Sequence, residues 1–230
     1  ATLATGAVAS FGAMTDDNGN NVITVNINGS GSIAATLLSA IGGKTSGVVT
    51  ATTVITITGS QAQLTAALVT DATKVIAGAA VIGTITDAGG QTLTAAALSA
   101  IGAKTSGVVT VSEAVVITGT QAEVTAALVT TDSLVVAATA VGTISDDAGT
   151  EIAATALSAI GAKTSGIVTV SEAIALSGTN TELTAALVTT DDLVVAGTAV
   201  VTITDDASTS IAATVLSAIG GKTSGAVTAS

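Results

Sequence analysis

One phrase returns four times. LSAIGGKTSG at 38–47 comes back as LSAIGAKTSG at 98–107 and 157–166, and as LSAIGGKTSG at 216–225. Its lysines, Lys44, Lys104, Lys163 and Lys222, are 60, 59 and 59 residues apart. A second phrase lies between the copies: TGSQAQLTAALVT (58–70), TGTQAEVTAALVT (118–130) and SGTNTELTAALVT (177–189). The working unit is therefore about 30 residues and alternates between two kinds, near 33 and 26 residues long. One such unit cannot bury its own apolar face, whereas its neighbours can cover it. A period of this size therefore signals a solenoid or similar array.

Within a unit the pattern changes character. EIAATALSAIG (151–161) places Ile152, Ala153, Ala156, Leu157 and Ile160 on one face of a short helix, with Gly161 as a left-handed C-cap. The other kind opens on Ser60-x-x-Gln63, Thr120-x-x-Glu123 and Thr179-x-x-Glu182. These fit the capping box, in which two side chains satisfy orphan amides at a helix start. Between helices run β-branched segments, VITITG (54–59), VVAATAVGTIS (135–145) and GIVTVSEAIALSG (166–178). The last two are long enough for two strands separated by a bend of small residues.

The predicted fold is α/β: a repeat solenoid of about seven coils of ~30 residues, each with two short parallel-stacked strands and one short Ala-rich helix. It reads as a single continuous solenoid over 1–230, with a partial unit at 1–13 and units at 14–53, 54–80, 81–114, 115–140, 141–173, 174–199 and 200–230. Strands stack ~4.8 Å apart and helices prefer ~8–10 Å, so the array is predicted to curve gently, with its short Ala-rich helices closely spaced on the outside. Neither end shows a distinct polar cap, which predicts ends that stack on further copies or on continuing chain.

Composition narrows the function. The chain has no Pro, Cys, His, Trp or Tyr, its basic residues are five Lys, and its net charge is −11. That balance argues against nucleic acid as a partner, since phosphate binding needs clustered cations. Mean hydropathy is +0.79, yet apolar runs such as VIAGAAVIG (75–83) fall far short of the ~20 residues of a membrane span. Without His, Cys or Arg, catalysis has little to work with, and the prediction is a protein that is not an enzyme. Gly43-Lys44-Thr45 suggests a phosphate-binding loop, but the first glycine of that motif falls on Leu38, and GGKTSG follows a helix instead of preceding one.

Acidic turns are the sharper candidates. TDDNGNN (15–21), TDAGG (86–90), SDDAGT (145–150) and TDDAST (204–209) offer Asp16, Asp17, Asp87, Asp146, Asp147, Asp205 and Asp206 as hard oxygen ligands for calcium. Asp71, Asp132, Asp191 and Asp192 form a second column. The competing reading is that Asp at such places forms turns or caps helices. Thr-rich strands predict ranks of hydroxyls on a flat face, like those of ice-binding solenoids; ordinary β-propensity accounts for the same residues.

LSAIGAKTSGVVTV (98–111), VVITGTQAEVTAALVT (115–130) and TISDDAGTEIAATALSAIG (143–161) resemble tandem repeats of very large cell-surface and extracellular proteins of cyanobacteria, particularly marine ones. The similarity runs from about residue 14 to the end. It implies a secreted, non-enzymatic surface or matrix protein; with the uncapped solenoid ends, the reading is an extracellular structural repeat protein that forms a surface layer, fibre or filament by end-to-end stacking, with further copies of itself as the partner. The alternatives are a calcium-dependent adhesin segment, with calcium as the possible cofactor, and, from the threonine-rich strands, an ice-binding solenoid.

Overall fold

The computed structural model describes residues 2–4, 22–51, 55–70, 75–78, 81–105, 107–130, 134–189 and 194–229. Among them the chain is α/β, with seven short helices and eighteen short strands. Every strand pairing is parallel. The residues form two compact units that alternate along the sequence. The first holds Ala1–Ala88, Ala97–Glu113 and Thr130–Val136; the second holds Gly89–Ala96, Ala114–Val129 and Ala137–Ser230.

The first unit contains two sheets. One has the order β1 (Thr2–Ala4), β2 (Val25–Asn28), β4 (Val49–Ala51), β6 (Val75–Ala77). The other runs β3 (Gly31–Ala34), β5 (Ile55–Gly59), β7 (Ile82–Ile85), β9 (Val109–Val111), β11 (Val135–Val136). Helix α1 (Ala35–Gly42) packs here on α2, which is α-helical over Gln61–Leu64 and widens to a π-turn over Thr65–Val69. Ile27, Ile33, Leu38, Ile41, Ile57 and Leu64 are buried between these layers.

The second unit repeats the plan. One sheet is β8 (Thr92–Thr94), β10 (Val116–Gly119), β12 (Val141–Ile144), β14 (Val168–Val170), β16 (Val194–Val195). The other is β13 (Glu151–Ala153), β15 (Ala175–Gly178), β17 (Val200–Ile203), β18 (Val227–Ala229). Helices α4 (Gln121–Leu128), α5 (Ala154–Gly161), α6 (Asn180–Leu187) and α7 (Ala213–Gly220) belong to it. Helix α3 (Ala95–Gly102) begins in the second unit and continues in the first. Ile117, Ile144, Ile152, Leu157, Leu176 and Leu183 are buried here.

Two different periods run through the chain. Helices start at 35, 61, 95, 121, 154, 180 and 213, alternating short and long steps, as the sequence predicts. Ladder partners keep to one spacing, 24 to 26 residues apart, as in Val25 with Val49, Val116 with Val141 and Val168 with Val194. From β2 to β17, the chain between paired strands always forms one further strand and one helix. One turn of the ladder is thus three elements: two strands and one helix.

The long kind of repeat spends its extra residues on a third strand, β3, β8 or β13, which runs straight into α1, α3 or α5. A pair of repeats therefore carries five strands and two helices. Seven elements do not divide by three, so counting in threes does not stay on strands throughout. The third element after β6 is α3 and after β11 is α5. A helix has spent its amides internally and cannot extend a ladder. By the same count the third element after α2 is β8 and after α4 is β13.

Two local expectations need correction. Ile152 and Ala153 do not begin a helix; they lie in β13, and α5 starts at Ala154. Burial alternates from Glu151 to Ala154 and then changes to Leu157 and Ile160, so the period switches from strand to helix within one phrase. Nor is Gly161 a left-handed cap. It is the last helical residue, and the helix closes through right-handed Ala162 (φ −66°), whose amide donates to Ser158 O, while Lys163 N donates to Ile160 O.

Candidate functional site

The fourfold phrase contains a threonine whose hydroxyl makes several hydrogen bonds. After each long-kind helix the chain turns through Lys-Thr-Ser-Gly, and Thr45, Thr105 and Thr164 are buried there. Thr45 Oγ1 donates to Ile23 O at 2.7 Å and accepts from Ile23 N and Gly47 N, each at 2.9 Å. Thr164 Oγ1 donates to Ala140 O and accepts from Gly166 N at 3.1 Å. Thr223 makes the same pair of bonds with Ala199 O and Gly225 N. The hydroxyl thus fastens one turn to the turn before it. Thr105 departs from this pattern, donating to Gly102 O and Gly107 O, while Gly107 N bonds Val81 O.

The closing glycine follows from the same proximity. A Cβ on Gly166 or Gly225 would stand 2.2 Å from the carbonyl oxygen of Ala140 or Ala199, and on Gly47 2.5 Å from that of Ile23. No side chain fits there. Lys44 N donates to Ile41 O and Gly47 N to Thr45 Oγ1, so amides that cradle phosphate in a nucleotide loop are used within the fold.

The acidic turns carry a second fastening. Asp87 Oδ2 accepts from Gln61 N at 2.6 Å, Asp146 Oδ2 from Gln121 N at 2.5 Å and Asp205 Oδ2 from Asn180 N at 2.6 Å. Asp205 Oδ1 also accepts from Asn180 Nδ2 at 2.7 Å. Each carboxylate therefore caps the short-kind helix of the preceding repeat, 25 or 26 residues back. The capping boxes supply the rest. Thr120 Oγ1 accepts from Glu123 N while Glu123 Oε2 accepts from Thr120 N, and Ser60 with Gln63 and Thr179 with Glu182 do likewise. Between the box and the Asp, the amides of N1, N3 and the N-cap are satisfied, with negative charge at the positive end of the helix. The long-kind helices α1, α5 and α7 have no side-chain cap, because each continues directly from extended backbone at Ala34, Ala153 or Ala212.

Of the remaining calcium candidates, Asp147 and Asp206 are exposed. Asp16 and Asp17 lie outside the described residues, as do Asp71, Asp132, Asp191 and Asp192. Among the described residues no three His, Cys, Asp or Glu side chains come together as a metal-holding group. Nor is any helix among them long and apolar enough to cross a membrane.

Surface recesses repeat as well. In the first unit, a groove of about 330 Å³ lies among Val48, Leu68, Val75, Ile76 and Lys104. Its counterpart in the second unit, about 230 Å³, lies among Ile167, Leu187, Val194, Val195 and Lys222. A third, about 290 Å³, sits between α5 and α6 over Ser158, Ala159, Glu182 and Ala185.

The outward faces of the strands do form hydroxyl ranks. Thr94, Thr118, Thr143 and Thr169 stand in register on four successive strands, and Thr58, Thr84 and Thr110 on three. Beside the first rank Thr92, Val116 and Val141 form a largely aliphatic column. The Thr-staple was missed by sequence reasoning, although its signal, a threonine two residues before an invariant glycine in all four phrases, was visible. No family model, curated protein or solved structure matches the chain.

Proposed function

We propose that the chain is an extracellular, non-enzymatic structural repeat protein that builds a surface layer, fibre or filament by end-to-end stacking of solenoid coils. One observation carries this reading: the most repeated polar side chains fasten one turn to another. Thr164 holds Ala140, Thr223 holds Ala199, Asp146 holds Gln121 and Asp205 holds Asn180. Chemistry that recurs in each repeat suits a load shared along an array and not a single reaction centre. The absence of proline leaves each strand able to donate to its ladder. The surface setting rests on the resemblance of the repeats, and the partner is a further set of the same coils.

Electron microscopy of the purified chain, with sedimentation across a wide concentration range, tests the proposal. Filaments that lengthen with concentration are expected. A strictly monomeric particle throughout that range overturns it.

The threonine ranks favour a second reading, a surface that binds ordered water. Hydroxyls in register at the strand repeat of ~4.8 Å, beside an aliphatic column, present alternating polar and apolar rows. Measurable thermal hysteresis is expected, and a freezing point equal to the melting point removes this reading. Calcium-dependent adhesion gains no support from Asp87, Asp146 and Asp205, whose Oδ2 atoms are already engaged with helix amides.

A further inference from the structure

Three sheets break their outward rank on the last strand. β6, β11 and β16 each end a ladder. On β6, Ile76 stands in register with Thr50; on β11, Val136 with Thr110; on β16, Val195 with Thr169. Each last strand thus carries an aliphatic side chain where its neighbour carries a threonine. Ile76, Val136 and Val195 are 46–53% exposed. Exposed aliphatics scattered singly need no explanation, but these recur at one place in the ladder. Propensity for a strand does not select them, since threonine satisfies it too.

Two of them wall the grooves that hold Lys104 and Lys222. In the first unit Val48 and Ile76 are the exposed walls, Leu68 and Val75 the buried floor, and Lys104 the charged member. In the second unit Ile167, Val195, Leu187, Val194 and Lys222 take the same places.

Charge and volume select the occupant. No carboxylate among the described residues lines either groove, and neither lysine forms an ion pair among them. The threonines of the lining are spent as donors: Thr70 Oγ1 donates to Thr65 O, and Thr189 Oγ1 to Thr184 O. One ammonium beside an aliphatic floor suits a monoanionic head on an alkyl tail. A phosphate, with three acceptor oxygens, would find a single side-chain donor. At about 30 Å³ for each water-sized group, the 230–330 Å³ of the two grooves holds roughly eight to eleven such groups.

We propose that these grooves bind a free medium-chain alkanoate, its methylenes on the Leu and Val floor and its carboxylate at the lysine. This does not depend on the stacking reading.

The test is titration of the full chain with decanoate, followed through the methyl resonances of Val48, Ile76, Ile167 and Val195. Saturable shifts at all four are expected. Octanoate should bind about tenfold more weakly, because two methylenes leave the floor. Lys104→Gln with Lys222→Gln should weaken decanoate about fivefold at low salt. Ile76→Thr with Val195→Thr gives each last strand its neighbour's residue, which keeps the ladder intact. That pair should weaken binding about tenfold, read at Val48 and Ile167. Absence of saturable shifts, equal binding of octanoate and decanoate, or undiminished binding by either variant pair overturns the proposal. So do the same shifts on concentrating the chain alone, which would show that a second copy fills the grooves.

Discussion

Helices α5 and α7 have almost the same sequence, ATALSAIG and ATVLSAIG, and different surroundings. Helix α5 buries Ala154, Leu157, Ile160 and Gly161; α7 buries Ile219 alone. Both are helical over eight residues, and both close with the same backbone bonds, Ala162 N to Ser158 O and Gly221 N to Ser217 O. The helix is therefore a local property of the phrase, whereas the strand before it is not. EIA at 151–153 is β13, paired with β15, but SIA at 210–212 has no partner strand among the described residues and stays irregular. A repeat here has a backward side, fastened by Thr and Gly to the turn before, and a forward side that depends on the turn after.

This comparison can be broken most directly at the leucines. Leu157→Ala is expected to cost about 2–5 kcal/mol, because it opens a cavity in a closed layer. Leu216→Ala should cost less than about 1 kcal/mol. Denaturant unfolding of both variants checks this, and equal losses would mean that the forward side of α7 is as well packed as that of α5. The threonines give the opposite expectation. Thr164→Val and Thr223→Val should be alike, each about 1–3 kcal/mol, since both hydroxyls are made to the preceding turn and leave a carbonyl and an amide unpaired. A large difference between them would place the staple on the wrong side of the repeat.

Smaller effects sharpen the same picture. Asp146→Ala should destabilise by about 1–2 kcal/mol through the amide of Gln121, read as lost exchange protection at the start of α4. Calorimetry with calcium, on the chain and on Asp146→Asn with Asp147→Asn, is expected to show that the carboxylates act as caps. Binding heat that disappears in the variant would show a metal role instead. Thr179→Ala removes one half of a capping box for about 0.5–2 kcal/mol and leaves β15 untouched. Melting curves against the parent chain suffice to measure it.

Much of this was legible in the residues. The two alternating repeat lengths, the three capping boxes and the two strands within each of 135–145 and 166–178 all appear where the sequence places them. The helix start at 152 was misplaced because an apolar face fits either period over so short a run, and Ile152 satisfies both. The acidic turns were read as a choice between metal ligand and local cap, and the amide bonded by Asp146 lies 25 residues away, beyond any local rule.

That distance separates what each level decides. The capping box joins residues three apart, and a helix closes through residues three or four apart, so the sequence alone determines where helices form and how they begin. Ladder partners stand 24 to 26 residues apart. Whether 151–153 or 210–212 becomes a strand, and where each sheet stops, is settled only when another turn lies alongside. A strand's amides and carbonyls have no partner within their own segment.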